Sequence, residues 1–176
     1  MRKKITQRKT VYRTPWFELV AKRVAGEKEP YYAIRTDDYV SVVALTPRRE
    51  FILVRQFRPA AEKITLELPS GTTGRGESPR ATAARELEEE TGFRAGRLIA
   101  VGNLHSDTGR IMNRLRIYLA TGCRPIPGAV REEGLTVALF SPRRMERAIA
   151  SGAFDHALHV AALGMASRKA RLPVRF

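Results

Sequence analysis

The stretch Leu66-Glu-Leu-Pro-Ser-Gly71-Thr-Thr-Gly-Arg-Gly76-Glu-Ser-Pro-Arg80-Ala-Thr-Ala-Ala-Arg85-Glu-Leu-Glu-Glu-Glu90-Thr-Gly-Phe93 decides how this chain is read. Its glycine loop, Gly71 to Ser78, nearly spells a P-loop, but Glu77 stands where that motif needs lysine. A carboxylate has the wrong sign for a phosphate contact, so a P-loop NTPase is excluded. Ser78-Pro79 is a helix start, an N-cap residue with proline at the first helical position, and Gly92 is a stop. On that helix Glu86, Glu89 and Glu90 share one arc of roughly 100°, and Ala83, Ala84, Leu87 and Thr91 occupy the neighbouring, core-facing arc. Glu88 points away from the cluster.

The carboxylate arc breaks two local rules. Like charges at i,i+3 and i,i+4 cost about 0.2–0.5 kcal/mol per pair, and the helix dipole disfavours anions in the last turn by about 0.3–1 kcal/mol each. Arg85, four residues before Glu89, offsets part of this. Such a double violation calls for a compensating partner. Oxygen-only ligands with no neighbouring His or Cys suit Mg²⁺ or Mn²⁺ rather than zinc. The competing reading is an acidic, solvated helix face.

Working outward, Trp16–Val24, Tyr31–Arg35, Tyr39–Leu45, Phe51–Phe57, Leu98–Leu104, Leu115–Ala120 and Leu135–Phe140 read as strands. A second helix is expected from Pro142 to about Ala150. A third is expected from about Asp155 to Ser167, with Leu158, Ala161, Ala162 and Met165 as its core stripe. Strands, a helix, strands and then helices give an α+β order rather than βαβ repeats. The basic ends, residues 1–10 and 167–175, are expected to be the least ordered parts.

At 176 residues the chain can bury a core without staples. The single cysteine, Cys123, excludes an internal disulfide and fits a reducing, cytoplasmic setting. No apolar run approaches the length of a membrane span, and the N-terminus lacks the apolar core of a secretory signal. Its acid-free run up to Glu18 also fits a transit peptide, against which the strand-like alternation from Val11 counts. The formal net charge is +14, with 32 Lys and Arg against 18 Asp and Glu. A surface of that sign attracts phosphates or nucleic acid, but no nucleic-acid-binding motif accompanies it.

Gly71-x5-Glu77-x7-Arg85-Glu86-Leu87-x-Glu89-Glu90-x-Gly92-Phe93 matches each of the nine fixed positions of the Nudix box. The chain therefore resembles the Nudix hydrolases. The resemblance implies an α/β/α sandwich with a mixed sheet and a loop-helix-loop catalytic motif. It also implies Mg²⁺- or Mn²⁺-dependent hydrolysis of a nucleoside diphosphate linked to another moiety. The flanks Arg55-Gln-Phe-Arg58 and Glu67-Leu-Pro-Ser-Gly71 are similar to the ADP-ribose pyrophosphatase branch. For that branch the expected products are a nucleoside monophosphate and a sugar phosphate. One departure is Asn103–Gly109, which lacks the proline that the branch usually carries after the box.

The resemblance also assigns roles. Glu86, Glu90 and the Ser70 carbonyl bind metal, Glu89 binds metal or orients water, and Arg85 orients the carboxylates. Glu77 closes the loop or pairs with Arg85. The general base is expected just before the last strand, at Glu133 or Glu132, with Glu133 slightly preferred. Substrate-binding candidates are Arg55, Arg58, Glu67, Trp16 and Arg110, with Arg114 beside them. The three histidines, His105, His156 and His159, are assigned to packing or capping.

The resemblance further implies residues 1–40 as an N-terminal antiparallel β region that can exchange strands in a homodimer, and residues 41–176 as the hydrolase domain. The alternatives are action on another nucleoside diphosphate derivative or on RNA 5′ ends, for which the charge speaks, and a non-catalytic binding module. Such modules lose box carboxylates, and none is lost here.

Overall fold

The computed structural model describes residues 3–172 and Val174; Met1, Arg2, Pro173 and Arg175, within the ends expected to be least ordered, and Phe176 lie outside the described residues. The elements run β1 (Ile5–Arg13), β2 (Glu18–Val24), β3 (Tyr31–Arg35), β4 (Tyr39–Leu45), β5 (Phe51–Arg58), β6 (Lys63–Glu67) and β7 (Ser70–Thr72). They continue as α1 (Pro79–Thr91), β8 (Phe93–Arg94), β9 (Arg97–His105), β10 (Arg114–Thr121), β11 (Arg124–Pro125), β12 (Thr136–Phe140), α2 (Pro142–Ala150) and α3 (Ala157–Ala170).

The central sheet has the order β12-β5-β4-β10-β9, with β6 added to β5 and β7 to β4. Strands β4 and β10 are parallel and the other pairings antiparallel, so the sheet is mixed. Side chains alternate across a strand. On β4, Val40, Val42 and Ala44 pack with Ala83 and Leu87 of α1 on one face, while Val43 and Leu45 join Met145, Leu163 and Ala166 of α2 and α3 on the other. A strand covered on both faces reads as a continuous apolar run, which is how Tyr39–Leu45 reads. This is the expected α/β/α sandwich.

Strands β1, β2 and β3 form a separate antiparallel sheet. It is tied to the sandwich where Ile34 N–H donates to the Arg110 carbonyl (2.8 Å) and Met112 N–H to the Ile34 carbonyl (2.8 Å).

Three expectations need correction. The N-terminal end is not without structure: Ile5–Arg13 is a nine-residue strand paired along β2. Its exposed strand face carries the basic residues that made the segment look unordered. The strand expected from Trp16 starts at Glu18. Finally, α3 begins two residues later than expected and buries His159, Ala162, Leu163 and Ala166, a stripe shifted from the one expected because periodicity counts a histidine as polar.

Candidate active site

The candidate site is built from two short pieces of backbone. Helix α1 starts at its sequence signals: Ser78 Oγ accepts from Ala81 N–H (3.2 Å), and Gly92, at φ 72°, donates its N–H to the Glu88 carbonyl (2.8 Å). Strand β7 runs beside it. Val42 N–H donates to the Pro69 carbonyl and Thr73 N–H to the Asp38 carbonyl (both 2.9 Å), so residues 69, 71 and 73 face β4. The N–H and C=O of one strand residue point to the same side. Ser70 therefore turns both away from β4, and its N–H donates to Glu90 Oε2 (2.9 Å). The Ser70 carbonyl is left facing the same side as Glu90.

The expected carboxylate arc is not uniformly solvated. Glu86 and Glu90 are buried, 8% and 5% exposed, whereas Glu89 stays at the surface. Arg85 binds three acids at once: Glu77 (3.1 Å), Glu86 (2.9 Å) and Glu89 (2.8 Å). Those pairs hold Glu77 below the usual carboxylate range, chiefly through the Arg85 hydrogen bonds. Burial pushes Glu90 up to about 8, the Ser70 N–H opposes this, and the charges of Glu86 and Glu132 add to it. Burial also raises Glu86 against the pull of Arg85, with Glu89 and Glu132 contributing. Glu88 turns away to Arg94 (2.7 Å).

Two buried, mutually repelling carboxylates with a free carbonyl beside them make an all-oxygen set suited to a hard divalent cation. Gly71 supplies the room. A Cβ at this position would lie 2.1 Å from Glu86 Oε1, so the carboxylate occupies the space that any side chain would fill. The residues present thus fit Mg²⁺ or Mn²⁺.

Ligand-type atoms of Glu67, His156 and His159 also lie within 4.8 Å of one another. Two of the three are already engaged, while His156 Nδ1 is buried without a hydrogen-bond partner among the described residues and its ring stacks on His159, with centroids 3.8 Å apart. Glu67 takes two hydrogen bonds from Arg58 (2.8 and 2.7 Å) and one from Thr65 (2.6 Å). His159 Nδ1 accepts from Leu68 N–H (3.2 Å), and Nε2 meets the Tyr39 hydroxyl (3.3 Å). Glu67 and His159 thus belong to a buried hydrogen-bond cluster, for which neither periodicity nor spacing carries a signal.

Of the late acids, Glu132 donates its N–H to the Glu89 carbonyl (2.9 Å), and its charge is felt at both Glu86 and Glu90. Glu133, the slightly preferred residue, is exposed, as is Glu132, but it neither makes the bond to Glu89 nor is among the charges named above that raise Glu86 and Glu90. Of the substrate-binding candidates, Arg58 is tied to Glu67, with its charge reaching Glu90. Arg55 lines a separate cleft of about 310 Å³ with Lys63 and Asp155. Arg110 donates to the Tyr31 hydroxyl (2.8 Å), stacks over that ring and lines a cleft of about 320 Å³ with Lys22 and His105. Arg114 donates to Asn103 (2.9 Å) and contacts His105. Trp16 is 83% exposed on the β1–β2 connection and so is not a core residue.

Residues 35–147 match the NUDIX domain. The methanol dehydrogenase activator of Bacillus methanolicus is 33% identical over 97 residues, 55% of this chain and 52% of that protein. The ADP-ribose pyrophosphatase of Bacillus subtilis is 38% identical over 81 residues, 46% of this chain and 44% of that protein. The chain thus spans about half the length of the curated relatives it matches. A solved ADP compounds hydrolase has a TM-score of 0.81, covering 97% of this chain and 95% of that one at 21% identity, a likeness of fold.

Proposed function

The chain belongs to the NUDIX family, and from that premise we propose that it hydrolyses the phosphoanhydride of ADP-ribose or a related nucleoside diphosphate sugar, releasing a nucleoside monophosphate and a sugar phosphate. The observation that carries this reading is the pair of buried carboxylates, Glu86 and Glu90, held beside the outward-turned Ser70 carbonyl with Arg85 as their nearby cation. The similarity to an ADP-ribose pyrophosphatase supports the substrate class.

Glu86, Glu90 and the Ser70 carbonyl would hold the divalent ion, and Glu89 stands at the exposed margin of the cluster. The chemistry that Mg²⁺ or Mn²⁺ would supply there is neutralisation of phosphate charge and acidification of a water molecule. Arg85 fixes Glu77, Glu86 and Glu89 relative to one another, the outer support that such ligands need. Glu132, on the loop that hydrogen-bonds to the end of α1, receives the proton of the water attacking phosphorus. Arg110 and Arg114 supply positive charge for the substrate phosphates, and exposed Trp16 is an aromatic face for the base. Tyr12 and Tyr32 on the N-terminal sheet and Phe17 on its β1–β2 connection are also exposed, which supports a homodimer formed through it. Among the described residues no helix is long and apolar enough to cross a membrane, and the reading places the enzyme in the cytoplasm.

The test is a panel of sugar nucleotides, dinucleotides and capped RNA incubated with purified protein, with products separated by chromatography. AMP and ribose 5-phosphate from ADP-ribose, formed with Mg²⁺ and abolished by chelator, are expected. Release of no nucleoside monophosphate from any sugar nucleotide would overturn the reading.

A further inference from the structure

The segment Leu68-Pro69-Ser70, which leads into the glycine of the box, is held at each polar group that the neighbouring elements reach. Leu68 N–H goes to His159 Nδ1 and the Pro69 carbonyl to Val42 N–H, while Ser70 N–H goes to Glu90. The Ser70 hydroxyl accepts from Tyr39 OH at 2.6 Å. Because His159 Nδ1 accepts from Leu68, the neutral ring carries its proton on Nε2. Burial keeps that ring neutral, holding it down to about 3. Nε2–H therefore donates to the Tyr39 oxygen (3.3 Å), and Tyr39 donates onward to Ser70. His159 is fully buried and its ring lies parallel to Tyr39, with ring centroids 6.2 Å apart. The chain of bonds runs from the third helix, which contributes nothing to the box, through β4 to the peptide that holds Glu90.

We propose that Tyr39 and His159 are positioning residues for the hydrolytic site, locking the Ser70 peptide so that its N–H and carbonyl present Glu90 and the divalent ion in one geometry. This inference rests on the proposed metal-dependent reading of the box. Neither residue touches the ion or the substrate. Each acts through Ser70, whose hydroxyl joins that peptide to Tyr39. A single rotatable bond, Cα–Cβ, separates the hydroxyl oxygen from the backbone it steers, so losing the Tyr39 bond frees the peptide without opening the core. Partners of this outer kind change metal affinity by about 10–100-fold when removed.

The probe is Mn²⁺ alone, titrated into the full chain by electron paramagnetic resonance, with turnover of the best substrate measured in parallel. Y39F and H159L are expected to bind Mn²⁺ about 10-fold more weakly and to lower kcat with KM nearly unchanged. H159Q, which keeps a donor toward Tyr39, is expected to stay within about 3-fold of the parent. If Y39F or H159L does not fold, S70A carries the test: it removes only the accepting oxygen and is expected to weaken Mn²⁺ by the same factor. Combined with Y39F, S70A should add nothing further, as groups acting in one chain behave non-additively. Parent-like Mn²⁺ affinity and kcat in Y39F and S70A would overturn the positioning role. A parent protein that binds no Mn²⁺ and turns over no sugar nucleotide would instead overturn the reading of the box itself, so the two failures are distinguishable.

Discussion

Replacing Gly71 by alanine probes the site with a single methyl group. The backbone tolerates it, because Gly71 is not among the positive-φ glycines and alanine restricts the unfolded chain more than glycine does. The space does not. The new Cβ would fall 2.1 Å from Glu86 Oε1, 2.2 Å from Cδ and 2.7 Å from Oε2. To regain ordinary contact the carboxylate must retreat by about 1.3 Å, and since it ends a flexible side chain, it moves rather than the strand. Overpacking of this size costs about 1–3 kcal/mol, so the protein stays folded. A ligand misplaced by about 1 Å costs about 100-fold in rate. G71A should therefore melt cooperatively a few degrees below the parent while losing at least about 100-fold in Mg²⁺-dependent AMP release from ADP-ribose, with weakened Mn²⁺ binding. A folded G71A protein within 3-fold of parental activity would refute the claim that this glycine exists to seat Glu86.

The Arg58–Glu67 pair gives a stability prediction: R58A strands a fully buried carboxylate and should cost about 3 kcal/mol in urea unfolding, the low end for a broken buried pair because Arg58 itself is 40% exposed. Adding E67Q should recover most of that loss. Acid sensitivity follows from His159: the unfolded chain takes up a proton below its ordinary value of 6.5, and the buried ring only near 3. The unfolded state binds more protons across that window, so stability falls with pH there, by about 2 kcal/mol between pH 7.5 and 5.0 from this ring. H159Q should lose that much less over the same interval, and an identical pH slope in both proteins would be the contrary result. Glu67, held down to about 2 because the bonds from Arg58 and Thr65 outweigh burial, extends the loss of stability below pH 4.5. Of the two late acids, E132Q should lower kcat by about 100-fold or more at similar KM, and E133Q by less than about 3-fold.

Helix α1 was legible because its caps are local. Ser78, Pro79 and Gly92 act within a turn of themselves, and α1 begins and ends where they place it. Strand β4 and the buried stretches Phe51–Val54 of β5 and Ile117–Ala120 of β10 were legible because burial on both faces leaves an apolar run. Strand β1 escaped because its side chains are nearly all exposed, so its pairing lies in backbone bonds that no side-chain pattern reports. The phase of α3 was misread because His159 is core through hydrogen bonds made by residues about 90 and 120 positions away in sequence. The same distance hid the Tyr39–Ser70 link. Spacing brought Glu86, Glu89 and Glu90 together on one arc, but only the fold distinguishes the two buried acids from the exposed one, because that depends on where β7 passes. Glu132 and Glu133 are indistinguishable as adjacent acids in a turn, and a single backbone bond to Glu89 sets Glu132 apart.

The most direct measurement is a Mn²⁺ titration of the parent protein against E86Q and E90Q, each confirmed as folded by its melting transition. Stoichiometric Mn²⁺ binding by the parent, weakened at least 10-fold in both variants together with loss of nucleotide release, is the expected result. Equal Mn²⁺ binding and equal turnover in all three proteins would mean that the buried acids of α1 hold no catalytic ion.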